Sequence, residues 1–342
     1  MEQDPVIVCN PSYGNGPYLR TTELALAVSA KIETPAKIVV PLLYGDTQKR
    51  IMQEEFGDQP KIILDEVYGE ILKPIFFDGI SFESFLQSWI ETVDQVSADV
   101  QTHLESTYEN PVMEIARAPL VQTGISPAYC TLFARLSEIW EQSIGIEEID
   151  IDNQILKNAA IKMRELEDSY ALRMICEPGT FEGENMIPPT ATKHQLIDVQ
   201  EPGIYVSVSG IAGGSEAIDT THKIYTNAKP DETSPSCLGS NNILAQVARA
   251  GWGAIWKSLL TETPLFVMPY SNHDDPEIYF NIKKVQELGI GTLYGEQPID
   301  TLLVDTSEMR QKLSTYKDSL EKKYGTLDGS SYAAQKIATL QL

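Results

Sequence analysis

The opening of this chain alternates short apolar runs with amphipathic stretches, and that alternation restricts the folds open to it more than any other feature. Pro5-Val-Ile-Val-Cys-Asn reads as a buried parallel strand, and the glycine turn Ser12-Tyr-Gly-Asn-Gly-Pro follows it. A helical pattern runs from Tyr18 to Ile32, with Leu24, Ala27 and Val28 on its inner face. Lys37-Ile-Val-Val-Pro is a second strand, Thr47 to Phe56 an amphipathic segment, and Lys61-Ile-Ile-Leu a third strand. Strand, helix, strand, helix, strand is the pattern of a doubly wound α/β domain.

Residues 82 to 104 give the clearest helix. Phe82, Phe85, Leu86, Trp89, Val93, Val96, Val100 and Leu104 recur at helical spacing, which predicts a core-facing stripe. A further helix is expected between Ile155 and Tyr170. From Cys176 to Thr190, prolines and glycines break all periodicity, as at the approach to a domain boundary. The grammar then restarts. Gly203-Ile-Tyr-Val-Ser-Val-Ser is an apolar strand ending in Gly210-Ile-Ala-Gly-Gly, followed by a helix-compatible stretch from Ser215. Ile243 to Ala248 is a strand, and Arg249-Ala-Gly-Trp-Gly-Ala opens a helix that runs to Leu260. Pro264-Leu-Phe-Val-Met-Pro is a buried strand, and Tyr279 to Leu288 a helix closed by Gly289. A charged helix from Ser307 to Lys323 and a last one from Ser331 complete the pattern.

A length of 342 residues exceeds what one core usually organises, so two domains are expected. We place an N-terminal α/β domain at 1–190, a C-terminal one at 191–328, and a final helix at 329–342 that returns to the first. The net charge of −23 disfavours nucleic acid or an anionic membrane as partner, because phosphate backbones need clustered Lys and Arg. No apolar run approaches the ~20 residues of a membrane span. Met1 is followed by acidic Glu2 and Asp4 rather than a basic leader, and a cytoplasmic location is expected. Cys9, Cys130, Cys176 and Cys237 are widely spaced with no CxxC, which predicts buried thiols rather than a disulfide or zinc framework.

Chemistry should lie in the loops at the carboxyl ends of the strands. The first loop, Tyr13-Gly-Asn-Gly-Pro, lacks the GxGxxG spacing of a dinucleotide fingerprint. Arg249-Ala-Gly-Trp-Gly-Ala-Ile-Trp is more informative: a cation and two glycines ahead of a helix can cradle a diphosphate. Ser271-Asn-His-Asp-Asp-Pro-Glu follows the next strand, with acidic and amide groups suited to sugar hydroxyls. Asp150-Ile-Asp152 spells a DxD but reads as a turn or helix start, and His273-Asp274-Asp275 lacks the further ligands a metal needs. His103 and His194 belong to no motif, and His222 is a minor candidate. There is no GxSxG, P-loop or zincin motif.

The span 247–291 resembles the donor-binding signature of GT-B nucleotide-sugar glycosyltransferases, the UDP-glycosyltransferase-like superfamily. Gly14-Asn-Gly-Pro-Tyr-Leu-Arg20 resembles that family's opening loop, and Gly203 to Gly210 the first strand of its second domain. The resemblance implies two Rossmann-like doubly wound domains facing a cleft, and metal-independent transfer of a sugar from a nucleotide-sugar donor to an acceptor. It implies no cofactor. Ser209, Gly210, Arg249, Gly251, Trp252 and Gly253 would surround the nucleotide and phosphates, with Asp275, Glu277 and Asn281 near the sugar or ribose. Asn15, Gly16 and Arg20 would face the acceptor. The chain departs from the family at Arg249, where relatives carry His, at Lys257, where they carry glutamate, and at Pro17, where they often carry a basic histidine. No general base stands out; Asp65, Glu66 and Asp78 are candidates by location only. Two alternatives share the fold: a non-catalytic nucleotide- or sugar-binding protein, and a sugar-nucleotide 2-epimerase.

Overall fold

The computed structural model describes residues 4–11, 17–33, 35–76, 81–190, 196–209, 211, 213–228, 233–271, 273–295 and 297–341. They form two compact units, Met1–Ile187 with Gly329–Leu342, and Pro188–Asp328.

In the first unit the elements are β1 (Val6–Pro11), α1 (Pro17–Ser29), β2 (Lys37–Pro41), α2 (Gly45–Phe56), β3 (Ile62–Asp65), α3 (Glu66–Leu72) and α4 (Phe82–Thr107). They continue with β4 (Pro111–Arg117), β5 (Ala128–Leu132), α5 (Leu136–Gln142), α6 (Asn153–Asp168), β6 (Leu172–Cys176) and β7 (Met186–Ile187). All seven strands pair in parallel in the order β3-β2-β1-β4-β5-β6-β7. Central strands of such a sheet are covered on both faces, so they read as continuous apolar runs: Ile7, Val8, Val39 and Val40 are fully buried. The order reverses between β1 and β4, which makes their carboxyl ends the switch point of this sheet.

The eight apolar residues that define the stripe on α4 are all buried. Ser81 caps that helix by accepting from the Ser84 amide, and the Trp89 indole N–H donates to the Leu120 carbonyl at 3.0 Å. The four cysteines are buried and none is in a disulfide.

The second unit holds β8 (Gly203–Ser207), β9 (Lys223–Thr226), β10 (Ile243–Ala248), α7 (Trp252–Thr261), β11 (Leu265–Val267), α8 (Pro276–Leu288), β12 (Gly291–Leu293), α9 (Ile299–Leu302) and α10 (Ser307–Tyr324). Its five parallel strands run β12-β11-β10-β8-β9, so the order reverses between β8 and β10. Ile204, Val206, Ala245, Val247 and Phe266 form the centre of its core. The stretch from Ser215 departs from the helix expected there: a single 3-10 turn at Gly214–Ala217 precedes β9. The last helix, α11 (Gly329–Gln341), rejoins the first unit and packs on α1, with Lys31 Nζ donating to Gln335 Oε1 at 3.2 Å. Among the described residues no helix is long and apolar enough to cross a membrane.

Candidate functional site

The strongest site in the second unit is built on the reversal between β8 and β10. β10 delivers Arg249 and Ala250, and α7 begins at Trp252 with Gly251 as its N-cap. As N-cap, Gly251 brings no side chain to this terminus; its own amide donates to the Arg249 carbonyl, and the Ala254 and Ile255 amides donate to the Gly251 carbonyl. The first amides of a helix have no carbonyl behind them, and the helix dipole adds partial positive charge there. Cβ atoms at Gly251 and Gly253 would meet nothing within 4 Å, so neither glycine is demanded by packing against the protein's own atoms. Their effect is to leave the backbone amides approachable. The opposite face of α7 anchors the terminus, with Trp252, Ile255, Trp256 and Leu259 buried and Ser258 Oγ donating to Gln246 Oε1 at 2.8 Å.

α8 is stitched to the same loop. Asn281, fully buried, donates from Nδ2 to the Ala250 carbonyl at 3.0 Å and to Glu277 Oε1 at 3.0 Å. Asp275 caps α8 by accepting from the Glu277 amide at 2.8 Å, Pro276 occupies the first turn, and Gly289 closes the helix with φ 65°. The fold thus gathers Arg249, Gly251, Trp252, Gly253, Asp275, Glu277 and Asn281 around one loop, and gives Asp275 and Asn281 firm structural duties within it. Ser209 is exposed just beyond β8. Lys257 lies on α7, neither buried nor fully exposed. Gly210, Asn15, Gly16, Asp78 and His194 lie outside the described residues.

Sequence inspection missed the partner of Arg249. Its Nε lies 2.6 Å from Asp274 Oδ1. Among the described residues the Nε–H finds no aligned acceptor, so Arg249 and Asp274 are joined there by charge. Burial pushes the Asp274 carboxyl above the ordinary carboxylate range, and Arg249 only partly reverses that.

In the first unit a buried polar cluster is built on β1 and β4. Asn10 Nδ2 donates to Glu114 Oε1 at 3.0 Å and to the Val121 carbonyl at 2.7 Å. The Tyr170 hydroxyl donates to Glu114 Oε1 and Thr123 Oγ1 to Glu114 Oε2. All four side chains are buried, and burial raises the Glu114 carboxyl above its usual range. Arg20 is paired with Glu23 at 2.5 Å and Glu55 at 2.8 Å. Beside it, three aromatic residues meet from the segments following β1, β2 and β3. Tyr18 and Tyr44 have ring centroids 5.9 Å apart, and Tyr44 and Phe76 6.0 Å apart. The Tyr18 hydroxyl is buried without a hydrogen-bond partner among the described residues, and burial followed by Tyr44 pushes it up to about 12. No single sequence motif links these rings.

Several sequence candidates have structural duties. Asp65 accepts from the Tyr68 amide to cap α3, lies 2.8 Å from His103 Nε2, and accepts from the Tyr108 hydroxyl at 2.8 Å. Asp152 of the DxD is the N-cap of α6, accepting from the amides of Gln154 and Ile155. Among the described residues no cluster of His, Cys, Asp and Glu has the arrangement of a metal site.

No family model matches the chain, and no curated protein sequence does. Solved structures match it along nearly its whole length. Phytolacca americana UGT2, complexed with UDP-2fluoro-glucose and pterostilbene, aligns with a TM-score of 0.64 at 13% identity, covering 99% of this chain and 100% of that one. A UDP-glucosyltransferase from Polygonum tinctorium capable of glucosylating indoxyl gives 0.64 at 11% identity, covering 99% and 98%. The glycosyltransferase SnogD from Streptomyces nogalater gives 0.59 at 14%, covering 99% of each chain. The fold is therefore GT-B, with two Rossmann-like parallel-sheet domains, as the sequence resemblance implied.

Proposed function

We propose that this protein is a glycosyltransferase that uses a nucleotide-activated sugar, with UDP the first nucleotide to test. The observation that carries the proposal is the uncapped N-terminus of α7 at the switch point of the second sheet, with Arg249 beside it. Breaking the bond between sugar and diphosphate develops negative charge on the leaving phosphate. Preorganised amides and a guanidinium at that position stabilise this charge without a metal. The planar guanidinium of Arg249 can grip phosphate through two N–H groups, a geometry that an imidazole cannot offer. Glu277, on the first turn of α8, is the acceptor group we assign to sugar or ribose hydroxyls.

On the first unit we assign the acceptor to the surface formed by Tyr18, Tyr44, Phe76 and Arg20. Tyr44 and Phe76, both half-buried, offer an apolar edge-to-face pair, and the buried Tyr18 hydroxyl offers one hydrogen bond.

A thermal-shift panel of nucleoside diphosphates and their sugar conjugates tests donor binding, since a ligand of the native state raises its apparent stability. Release of nucleoside diphosphate in the presence of an acceptor panel then tests transfer. We expect stabilisation by at least one nucleotide sugar and acceptor-dependent release. Binding without turnover selects the non-catalytic alternative, and solvent deuterium entering the sugar selects the epimerase. No binding to any member of the panel removes the proposal.

A further inference from the structure

Within the second unit one carboxylate lies where a ligand anion would be drawn. Asp274 Oδ1 sits 2.6 Å from Arg249 Nε, and the carboxylate side chain is only 13% exposed. Its other oxygen accepts from the Ser271 amide at 3.2 Å, while the Asp274 amide donates back to the Ser271 carbonyl at 2.8 Å. The carboxylate is therefore fixed by a closed turn, and its contact with Arg249 lacks an aligned N–H. Four charged or titratable groups surround it. Arg249 comes from the loop after β10, and His273, Asp275 and Tyr270 from its own loop, with the Tyr270 hydroxyl 3.4 Å from the Asp274 carbonyl. Burial disfavours the ionised form, and Arg249, the Ser271 amide and His273 do not fully compensate.

A diphosphate drawn to Arg249 meets this carboxylate at close range, and two like charges in one partly buried site cannot both remain ionised cheaply. We propose that Asp274 competes with the donor diphosphate for Arg249, and that the site relieves the competition by taking one proton from solvent onto Asp274 as the diphosphate binds. The inference rests on the reading of the α7 terminus as the diphosphate site. Its sign follows from linkage. Binding makes Asp274 hold its proton more tightly, so the bound state carries more protons than the free state and affinity rises as pH falls. Asp274 also sets specificity, because it opposes every anion that lacks enough further contacts to outweigh it.

Isothermal titration with UDP-glucose tests this, because its diphosphate has no monoester oxygen that titrates at about pH 6. Wild type, Asp274→Asn and His273→Gln are compared at about pH 5.5 and about pH 7.5, in buffers of different ionisation enthalpy. Asparagine keeps an oxygen for the Ser271 amide while removing the charge. For wild type we expect about tenfold tighter binding at the lower pH, with up to one proton taken up per ligand. Asp274→Asn should bind about tenfold more tightly than wild type at the higher pH, with the pH dependence lost. His273→Gln should keep the wild-type slope. An unchanged or weaker affinity in Asp274→Asn overturns the proposal, as does transfer of the slope to His273. The proton count on wild type needs no variant, and a count of zero overturns it as well. If wild type and Asp274→Asn both fail to bind UDP-glucose and UDP, the donor-site reading falls and takes this inference with it.

Discussion

At the paired strands β1 and β4, where the first sheet reverses its order, Asn10, Thr123 and Tyr170 are buried and hydrogen-bonded to the buried carboxyl of Glu114. The reversal between β8 and β10 carries instead a helix terminus with no side-chain cap, two glycines with open space beside them, and a partly exposed arginine. Both places satisfy the same topological rule for ligand crevices in open α/β sheets. Topology marks the address, while the charge and access of the local polar groups decide the ligand. A carboxyl enclosed by its own donors is a structural element, and a glycine-bounded helix N-terminus beside a cation suits an anion.

The comparison breaks most visibly at Glu114. Replacing it with alanine leaves two buried hydroxyls without their acceptor and takes one acceptor from the Asn10 amide, which keeps the Val121 carbonyl, and we expect a loss of about 3–5 kcal/mol in urea unfolding. Glu114→Gln sharpens the point through pH. The folded carboxyl has a raised affinity for its proton, so its ionisation opposes folding at neutral pH. That opposition fades as pH falls through the folded value towards the ordinary range of about 4.3. Wild type should therefore gain stability over this interval through Glu114, and Glu114→Gln should lack that contribution.

The second region is broken at Arg249. In an Asp274→Asn background, which avoids leaving a buried carboxylate alone, Arg249→Ala should weaken UDP-glucose binding by about 1.5–3 kcal/mol, the range for a hydrogen bond to a charged group. Calorimetry measures it. The melting temperature should change far less than in Glu114→Ala.

Two smaller effects separate structural acids from site acids. Asp65→Ala should cost about 1–2 kcal/mol through the lost cap and its contact with His103. Burial pushes the Asp65 carboxyl up, but the Tyr68 amide, His103 and Tyr108 outweigh it and hold the group below its ordinary range. Its contribution is thus full above about pH 4 and is lost as pH falls through the lower folded value. Asp152→Ala should cost about 1 kcal/mol in a chemical melt as the cap of α6 is lost, with donor binding unaltered by added Mn²⁺ or Mg²⁺.

Elements with a clean period were legible from sequence. The stripe on α4 was read residue by residue, and β1, β2, β3, β8, β10 and β11 followed from their apolar runs. The strands β4, β5, β6 and β9 were not. β4 carries Glu114 in its interior and ends on Arg117, β6 carries Arg173, and the four-residue β9 opens with Lys223. Charges inside a short strand defeat an apolar-run criterion, and only the folded environment shows how they are satisfied. At the site, the Arg249 loop was legible because its glycines, aromatic and cation are contiguous. The pairing of Arg249 with Asp274, and the meeting of Tyr18, Tyr44 and Phe76, join segments separated by whole elements. A linear reading has no signal for such contacts.

Hydrogen–deuterium exchange on the intact protein, with and without saturating UDP-glucose, tests the contrast between the two reversals in one measurement. Slowed exchange is expected at the amides of residues 251–255 and in the loop 271–275. Exchange at the ends of β1 and β4, around Asn10 and Glu114, should not change. Unaltered exchange at 251–255 under conditions where UDP-glucose binds, or protection centred on β1 and β4 instead, would contradict it.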